Sequence, residues 1–375
     1  MPVREVQAKS ILRKYKKIDS WFVTRYGMNL YRGCQHNCAY CDGRAERYQI
    51  AGEFGTHIEV KTTAVSILQR ELDPHRKRKP LKRCFMTLGG GVADAYQPAE
   101  RKYRLARSVL ELLSQLDFPV HILTKSTLIL RDIDLLKKIQ AQTQAVISFS
   151  FSTVDDELSR IFEPGVPAPS ERLQAIKVLK QSGFACGMFL LPVIPMLTDR
   201  LYLLEAAVRA AADAGVDFVL FGGMTLRPGR QKDYFLHILK QQFPEQYPKY
   251  ESLYPDNPWG TVQKEYSDNL HQTLFALLKK YRIPLRMPPN LFSRFLDHND
   301  RLVVILEQLD YLLNLRGRSS PYGYAAYSIS RLKEPISTLD NPESLRGVGP
   351  VTGRLIREIL ETGSSKLYHK LLFYH

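Results

Sequence analysis

Three of the five cysteines in this chain, Cys34, Cys38 and Cys41, fall within eight residues. That spacing is a poor basis for a disulfide framework, but it suits a loop that binds metal. The two other cysteines, Cys84 and Cys186, stand alone in the sequence. Two separate thiols are too few for a second cluster of the four-cysteine kind, so we expect one cluster at most.

The spacing of the three cysteines is C-x₃-C-x₂-C, which lets three thiolates on one tight loop bind three irons of a 4Fe-4S cluster. The fourth iron is then open to the amino and carboxylate groups of S-adenosylmethionine (SAM). A reduced cluster can pass one electron to the bound sulfonium, cleave its carbon–sulfur bond and leave a 5′-deoxyadenosyl radical. Gly33 permits the turn before the first cysteine, and Tyr40 is placed to pack beside the adenine.

Zinc is the alternative for the same loop, because His36 could join the three cysteines in a tetrahedral site. The protein would then be a zinc-stabilised nucleic-acid-binding protein rather than an enzyme. Zinc loops usually supply their ligands as two separated pairs, whereas four ligands within eight residues strain a tetrahedral geometry. The motif therefore favours the iron–sulfur cluster.

The net charge is +15, from 53 basic and 38 acidic residues, and it favours encounter with polyanions such as nucleic acid. The basic residues are concentrated at 13–17, 75–79 and 82–83, although such blocks are commonly solvated loops. Apolar runs such as residues 184–194 are too short to cross a bilayer, and the charged N-terminus lacks a signal-peptide core. We expect a cytoplasmic protein with no membrane partner.

Short strand-like runs alternate with longer helical periods, which predicts a parallel α/β barrel. The predicted strands are 28–31, 84–88, 120–124, 146–151, 185–191 and 218–221, and the predicted helices are 98–116, 135–142, 170–183 and 199–214. Six strands indicate a partial (β/α)6 barrel rather than a closed barrel of eight. The predicted parts are a basic N-terminal arm (1–27), the barrel (28–225), a mainly helical extension (226–318), a linker (318–336) and a small module (336–375).

Several motifs in order resemble those of radical SAM proteins related to spore photoproduct lyase, the DNA repair photolyase-like group. They are residues 29–41, 91–100, 124–132, 163–165 and 192–195, and the resemblance covers about residues 20 to 285. It implies a six-stranded partial barrel with SAM bound across the carboxyl ends of the strands. It also implies that Gly89, Gly90 and Gly91 approach the amino acid portion of SAM, and that Lys125 and Ser150 touch its carboxylate or ribose.

Each of these assignments has a plainer alternative: a glycine turn that ends a strand, a solvated lysine, and a serine bonded to backbone. Asp94 and Glu100 could serve a substrate pocket, but acids in a strand-to-helix loop more often cap helices. Glu163 could contact SAM or brace a turn.

The chain departs from the lyase at the residue that returns hydrogen to the product radical. The resemblance puts Gly91 where the lyase has that cysteine, and Cys84 could replace it only if its thiol faced the barrel interior. A buried packing role is the alternative for Cys84. Asp42 also replaces the aromatic residue that commonly follows the third cysteine. These departures argue against spore photoproduct as the natural substrate.

A second resemblance lies near the C-terminus, where residues 345–356 are similar to a helix-hairpin-helix. Gly347 and Gly349 allow a tight turn, and Pro350 suits the first helical position, so free backbone N–H groups could hold a phosphate. Arg346 and Arg354 could add phosphate contacts. The predicted apolar side consists of Val348, Val351, Leu355, Ile356 and Ile359. An ordinary helical hairpin that finishes a core is the alternative.

The sequence therefore predicts a radical SAM enzyme that acts on DNA, of a repair-lyase type directed at a damaged pyrimidine, with an electron donor such as flavodoxin or ferredoxin. The alternative enzyme is a radical SAM maturase that modifies RNA, a protein or a small molecule.

Overall fold

A computed structural model describes residues 3–50, 52–77, 81–255 and 257–373 of the chain. Of the basic blocks, Arg78 and Lys79 lie outside the described residues. The strands are β1 (Val3–Val6), β2 (Leu12–Asp19), β3 (Thr24–Met28), β4 (Tyr31–Arg32), β5 (Ile58–Lys61), β6 (Phe85–Leu88), β7 (Val120–Thr124), β8 (Ala145–Phe151), β9 (Ala185–Val193) and β10 (Phe218–Gly223).

The helices of the first two thirds of the chain connect these strands. They are α1 (Ala64–Leu72), α2 (Glu100–Tyr103), α3 (Leu105–Gln115), α4 (Ile133–Gln142), α5 (Asp156–Phe162), α6 (Pro169–Gln181) and α7 (Leu201–Asp213). Helices follow one another beyond the last strand. They are α8 (Arg230–Gln242), α9 (Tyr247–Leu253), α10 (Lys264–Lys280), α11 (His298–Asn314), α12 (Tyr322–Ser330), α13 (Pro350–Thr362) and α14 (Lys366–Phe373).

The main sheet has the strand order β10-β9-β8-β7-β6-β3-β2 within the described residues. The strands from β3 to β10 in this order run parallel, and only the edge strand β2 is antiparallel to its neighbour. Every residue of β8 is buried, as expected for a parallel strand covered on both faces. The six parallel strands and the helical C-terminal part confirm the predicted fold class.

The sheet begins earlier in the chain than the sequence indicated. Strand β7 matches its prediction, but the first parallel strand is β3 rather than residues 28–31. Strand β2 and all of β3 except Met28 lie inside residues 1–27, which the sequence predicted to be an arm. Five consecutive residues of β2 are exposed because it is an edge strand, and its charges resemble those of an arm. Such charges also protect an exposed strand edge from pairing with other chains.

The predicted helix 98–116 is broken at Arg104, which adopts a left-handed backbone with φ of 52°. The Glu100 carboxylate is fully buried and accepts hydrogen bonds from the N–H groups of Ala106 and Arg107, at 3.0 and 3.3 Å. These are donors of the first turn of α3, so Glu100 caps that helix from the preceding turn. Glu100 therefore has the helix-capping role that the sequence favoured.

The helix α12 lies within residues 318–336, which the sequence indicated as a linker. Its Ala325, Ala326 and Ile329 are fully buried in the main hydrophobic core, and α12 packs against α11. The helices α13 and α14 also contact α11. Ser, Pro and Gly residues before α12 resemble a linker, but here they form the short turn between two packed helices.

The C-terminal helices are attached to the edge of the main sheet. The Arg25 Nε on β3 donates to Asp300 Oδ2 on α11 at 2.6 Å. The Gln308 side chain on α11 donates to the carbonyl of Ser20 at 2.9 Å, in the turn between β2 and β3. The helical part is therefore packed directly against the sheet.

The buried His121 on β7 predicts a pH dependence of stability. Its Nε2 lies 2.9 Å from Ser148 Oγ, and burial lowers the pKa of the imidazole from 6.5 to about 4. Between these two pH values the unfolded chain binds a proton that the folded protein does not. The free energy of unfolding therefore falls as pH falls from 6.5 to 4, by about 1.4 kcal/mol per pH unit at most.

We expect His121→Asn to show a shallower fall than the wild type in urea unfolding across that range. The exposed His237→Asn serves as the control and should keep the wild-type slope. Equal slopes for His121→Asn and the wild type would contradict the assignment.

Candidate active site

The cysteine loop follows β4 and turns tightly back on itself. Gly33 has a φ of +78°, and a Cβ there would lie 2.4 Å from the carbonyl oxygen of His57. Two short turns follow, in which Asn37 N donates to Cys34 O at 3.2 Å and Cys41 N donates to Cys38 O at 3.3 Å. All three cysteines line one cavity of about 110 Å³. The structure therefore brings the three thiols to the same cavity wall.

The thiols are held in surroundings that disfavour free thiolates. Cys34 and Cys38 are buried, and Cys41 is partly buried. Burial raises the pKa of Cys38 to about 12, that of Cys41 to about 11, and that of Cys34 well above its ordinary value. Because metals bind the thiolate, binding of a metal cluster would release the thiol protons. The positive charge of the metal would then compensate the thiolates.

The donor set of this loop fits an iron–sulfur cluster: three thiols of one loop face a common space. Within the described ranges, no three His, Cys, Asp or Glu side chains lie close enough together to hold a single metal ion. Each cysteine of a cluster binds a different iron atom, so this spacing is compatible with a cluster.

His36 does not face the cavity as a free ligand. Its Nδ1 lies 2.9 Å from the carbonyl oxygen of Gly165, and its Nε2 lies 3.2 Å from Asp94 Oδ2. The second contact does not have hydrogen-bond geometry in the described structure, but it directs Nε2 toward the carboxylate. Both ring nitrogens are turned toward protein oxygens, which disfavours the zinc alternative.

Asp94 connects the cysteine loop to the ends of two strands. Its carboxylate accepts from the N–H groups of Tyr96 and Lys125, at 2.8 and 2.7 Å, and from the Thr124 hydroxyl at 2.8 Å. Burial alone would raise the pKa of Asp94, but His36 and these N–H donors outweigh it and hold the pKa below its ordinary value. Asp94 therefore organises the turn after β6.

Glu163 is a fully buried carboxylate between two cations. Its oxygens accept from Lys125 Nζ at 2.8 Å and from Arg172 at 2.7 Å, and also from the Tyr40 hydroxyl and from Ser152 Oγ. Burial would raise the pKa of this carboxyl, but the charges of Arg172 and Lys125 hold it far below its ordinary range. Of the two alternatives for Glu163, the structure gives a bracing role.

Arg44 fixes the backbone of the cysteine loop, a role that the sequence analysis missed. Its Nε donates to the carbonyl of Cys38 at 3.0 Å, and a terminal nitrogen donates to Asn37 Oδ1 at 2.6 Å. The guanidinium lies 3.5 Å from the ring centroid of Tyr234 and 4.9 Å from that of Phe54. An arginine three residues after the last cysteine gives no signal that it will be buried between two rings.

The residues predicted to contact SAM surround the same space. Gly90, Gly91, Lys125 and Ser150 line both the small cavity and an adjoining one of about 450 Å³, and Tyr40 lines the larger one. The Ser150 hydroxyl also donates to the carbonyl of Leu191, and the Lys125 ammonium is paired with Glu163. Both cavities lie at the carboxyl ends of the parallel strands, the usual location of barrel active sites.

Gly89, Gly90 and Gly91 differ in backbone conformation and in the space available for a side chain. Gly89 has a φ of +82°, a Cβ there would lie 2.0 Å from Leu123 O, and the residue does not line either cavity. Gly90 also has a positive φ and packs against the ring of Phe22. At Gly91 a Cβ would meet only Asn29, at 3.4 Å, so this position has room for a side chain.

Cys84 does not reach the cavities. It precedes the first residue of β6, at the amino end of the strand, whereas the cavities lie at the carboxyl ends. The thiol is fully buried and accepts from Arg25 N at 3.4 Å. Its placement in the core corrects the suggestion that Cys84 replaces the missing hydrogen donor.

The C-terminal hairpin has the predicted turn. Gly347 has a φ of +84°, and Gly349 is the N-cap of α13, whose first residue is Pro350. The side chains of Val348, Leu355, Ile356 and Ile359 are buried as predicted. The prediction for Val351 is wrong, since it is 62% exposed on the first turn of α13. Arg346 and Arg354 are exposed.

The model of the radical SAM superfamily matches residues 28–204, which include the cysteine loop and the strands β6 to β9. The chain belongs to the radical SAM superfamily. A model described as a helix-hairpin-helix domain matches residues 297–365. This second match begins with α11 and includes α12, in agreement with the packing of these helices. Within the described residues, no helix is both long and apolar enough to span a bilayer.

The relatives include uncharacterized proteins from bacteria and archaea. One from Mycobacterium tuberculosis is 32% identical over 283 residues, which are 74% of this chain and 81% of the relative. One from Methanocaldococcus jannaschii is 30% identical over 224 residues, which are 60% of this chain and 78% of the relative.

Spore photoproduct lyase is similar in structure. One variant aligns with a TM-score of 0.54 at 14% identity, over 74% of this chain and 79% of the lyase. A second variant, solved with bound SAM and a dinucleoside spore photoproduct, aligns with a TM-score of 0.51 at 16% identity, over 72% and 78% of the two chains. At these low identities, the similarity shows that this chain and the lyase share a fold.

The contacts of Glu163 predict that replacing its carboxylate by an amide strongly lowers the free energy of unfolding. Glu163→Gln keeps the shape of the side chain but leaves the fully buried Arg172 and the partly buried Lys125 without their counter-charge. We expect the free energy of unfolding in urea to fall by about 3 to 5 kcal/mol. Glu157→Gln, at an exposed position of α5, is the control and should change it by less than about 0.5 kcal/mol. A Glu163→Gln protein as stable as the control would refute the bracing role.

Proposed function

We propose that this radical SAM enzyme holds a 4Fe-4S cluster on Cys34, Cys38 and Cys41, binds SAM in the adjoining cavity and acts on DNA. The observation that carries the proposal is the common cavity wall formed by the three thiols, next to a larger space at the strand ends. When bound, the reduced cluster and SAM supply a 5′-deoxyadenosyl radical that removes a hydrogen atom from the substrate.

The chain's own residues would position these groups. Gly90 and Gly91 line both cavities and would leave room for the amino acid portion of SAM beside the cysteines. Tyr40 lines the larger cavity, where it would pack beside the adenine. Lys125 and Ser150 line both cavities and would orient the carboxylate or ribose. Glu163 keeps the Lys125 ammonium in place through its 2.8 Å contact.

DNA as the substrate class is supported by three observations. The net charge is +15, and the C-terminal match is to a helix-hairpin-helix domain. The similar lyase has been solved with a dinucleoside photoproduct. The proposed reaction is of a repair-lyase type on a damaged pyrimidine, whose extrusion from the duplex costs least at a lesion. An electron carrier such as flavodoxin or ferredoxin would reduce the cluster.

The proposed lesion is different from spore photoproduct. The position of the lyase's hydrogen-returning cysteine is taken by Gly91, which lines the cavity without a thiol. Cys84 lies before the amino end of β6, opposite to the end at which the cavities lie, and so it cannot compensate. The final hydrogen donor must therefore be a different group from the one the lyase uses.

The direct test incubates the anaerobically reconstituted, reduced enzyme with SAM and a panel of deuterated substrates. The panel contains damaged DNA, undamaged DNA and RNA. We expect deuterium to enter 5′-deoxyadenosine only from damaged DNA, with loss of the lesion. The Cys38→Ala protein, which should bind less iron and sulfide, is the control for the cluster. Rapid SAM cleavage with every lesion intact would reject repair, and transfer from RNA would support the maturase alternative.

The hairpin gives a second test. Gly349→Asp meets no side chain, because nothing lies within 4 Å of an added Cβ, and Asp is a good N-cap. Its carboxylate would face the proposed phosphate, so we expect the affinity for a labelled duplex to fall about ten-fold. Gly349→Asn makes the same cap without the charge, so the difference between the two variants measures repulsion. The unfolding midpoint should not fall in either.

Wild-type affinity should itself decline steeply as salt rises. A hairpin that is only structural would give no duplex binding at any salt concentration, and the two variants would then behave alike.

A further inference from the structure

Helix α12 presents two tyrosines to solvent on the side opposite its packed face. Tyr324 is 45% exposed and Tyr327 is 54% exposed, whereas Ala325, Ala326 and Ile329 between and beyond them are buried. The two rings have centroids 6.3 Å apart and are tilted by 32°. We call this pair the tyrosine patch. The rings are not needed to complete the core, because the opposite face of the helix already does so.

The tyrosine patch is continuous with the hairpin. The ring of Tyr324 lies directly against Gly347, where a Cβ would approach it to 2.0 Å. Ser328 Oγ on α12 donates to the carbonyl of Arg346 at 2.7 Å. The Arg346 guanidinium lies 5.9 Å from the centroid of the Tyr324 ring. A phosphate at the hairpin would therefore lie near the exposed Tyr324 ring, with the Tyr327 ring next to it.

The surroundings of the patch carry positive charge. Arg331, which immediately follows the last residue of α12, is exposed, as are Arg346 and Arg354. The acidic Glu343 near the hairpin is already paired with Arg357, whose terminal nitrogen lies 2.6 Å from Glu343 Oε2. Exposed rings bordered by cations suit a partner that is both anionic and aromatic, which describes nucleic acid with accessible bases.

We propose that the tyrosine patch stacks on unpaired bases of the DNA whose phosphate the hairpin holds. This inference rests on the proposed function and specifies its substrate class as DNA with a locally unpaired segment. In an intact duplex the bases stack on one another, and the rings would reach only sugar and groove edges. In a single strand or a bubble, a base face becomes available to a tyrosine ring.

The test measures binding of the full reconstituted chain to three fluorescent DNA probes of one sequence, by anisotropy under anaerobic conditions. The probes are a perfect duplex, the same duplex with a central mismatch bubble, and the single strand. We expect the wild type to bind the bubble and the single strand more tightly than the duplex. Tyr327→Ala should weaken binding to those two probes by about ten-fold and leave duplex binding nearly unchanged.

Two variants control for other effects. Tyr327→Phe keeps the stacking ring and should bind like the wild type. Tyr202→Ala removes another exposed tyrosine and should change nothing. Tyr202 is 62% exposed and lies on α7, outside the C-terminal helices. Tyr327 is preferred to Tyr324 because the latter also supports the turn at Gly347.

The outcomes separate this inference from the function on which it rests. Equal wild-type affinity for duplex and bubble, or an equal loss for both in Tyr327→Ala, would overturn base stacking and leave DNA binding in place. No binding of any probe at low salt would overturn both proposals. A dimer that dissociates in Tyr327→Ala during sedimentation, with unchanged DNA affinity, would assign the patch to self-association instead.

Discussion

Two carboxylates, the fully buried Glu163 and the partly buried Asp94, hold the cysteine loop against the carboxyl ends of the parallel strands. Asp94 contacts His36 within the loop, and Glu163 accepts from the Tyr40 hydroxyl just before the last cysteine. In a low-dielectric interior, an unpaired carboxylate would be costly, and both are compensated by several donors. The backbone adds two bonds at the same junction, from Ala39 N to Phe162 O at 2.7 Å and from Gly165 N to His36 O at 3.1 Å. The position of the three thiols depends on these contacts.

Local patterns in the sequence were enough to predict the strands that form the cavity. Buried parallel strands such as β7 and β8 are short apolar runs in the sequence. The three cysteines lie within eight residues, so their spacing alone predicts that they lie on one loop. The edge strand β2 was missed because exposure on both faces removes the alternation that marks a strand. The linker prediction failed at α12 for a related reason, since small residues before a helix resemble a flexible connection.

The contacts that no local pattern records are those made across long sequence distances. Lys125 was predicted as a cavity residue, but its pairing with Glu163 joins positions 38 residues apart. Asp42 follows the third cysteine, and its carboxylate accepts from Thr225 Oγ1 at 2.8 Å and from Gln231 Nε2 at 2.9 Å. Asp42 thus attaches the end of the cysteine loop to the segment after β10 and to α8.

The C-terminal helices contact the rim of the active site through Gln308. Its side chain bonds the Tyr368 hydroxyl on α14 and the carbonyl of Ser20, and the next residue, Trp21, lines the larger cavity. The hairpin thus belongs to a group of helices that packs against the segment beside the larger cavity, and it is not joined to the sheet by a flexible linker alone. Under the proposed function, in which the hairpin binds a backbone phosphate and the cavity holds the reacting group, this packing would fix the distance between the two points. The reaction would then fall at a constant number of nucleotides from the bound phosphate.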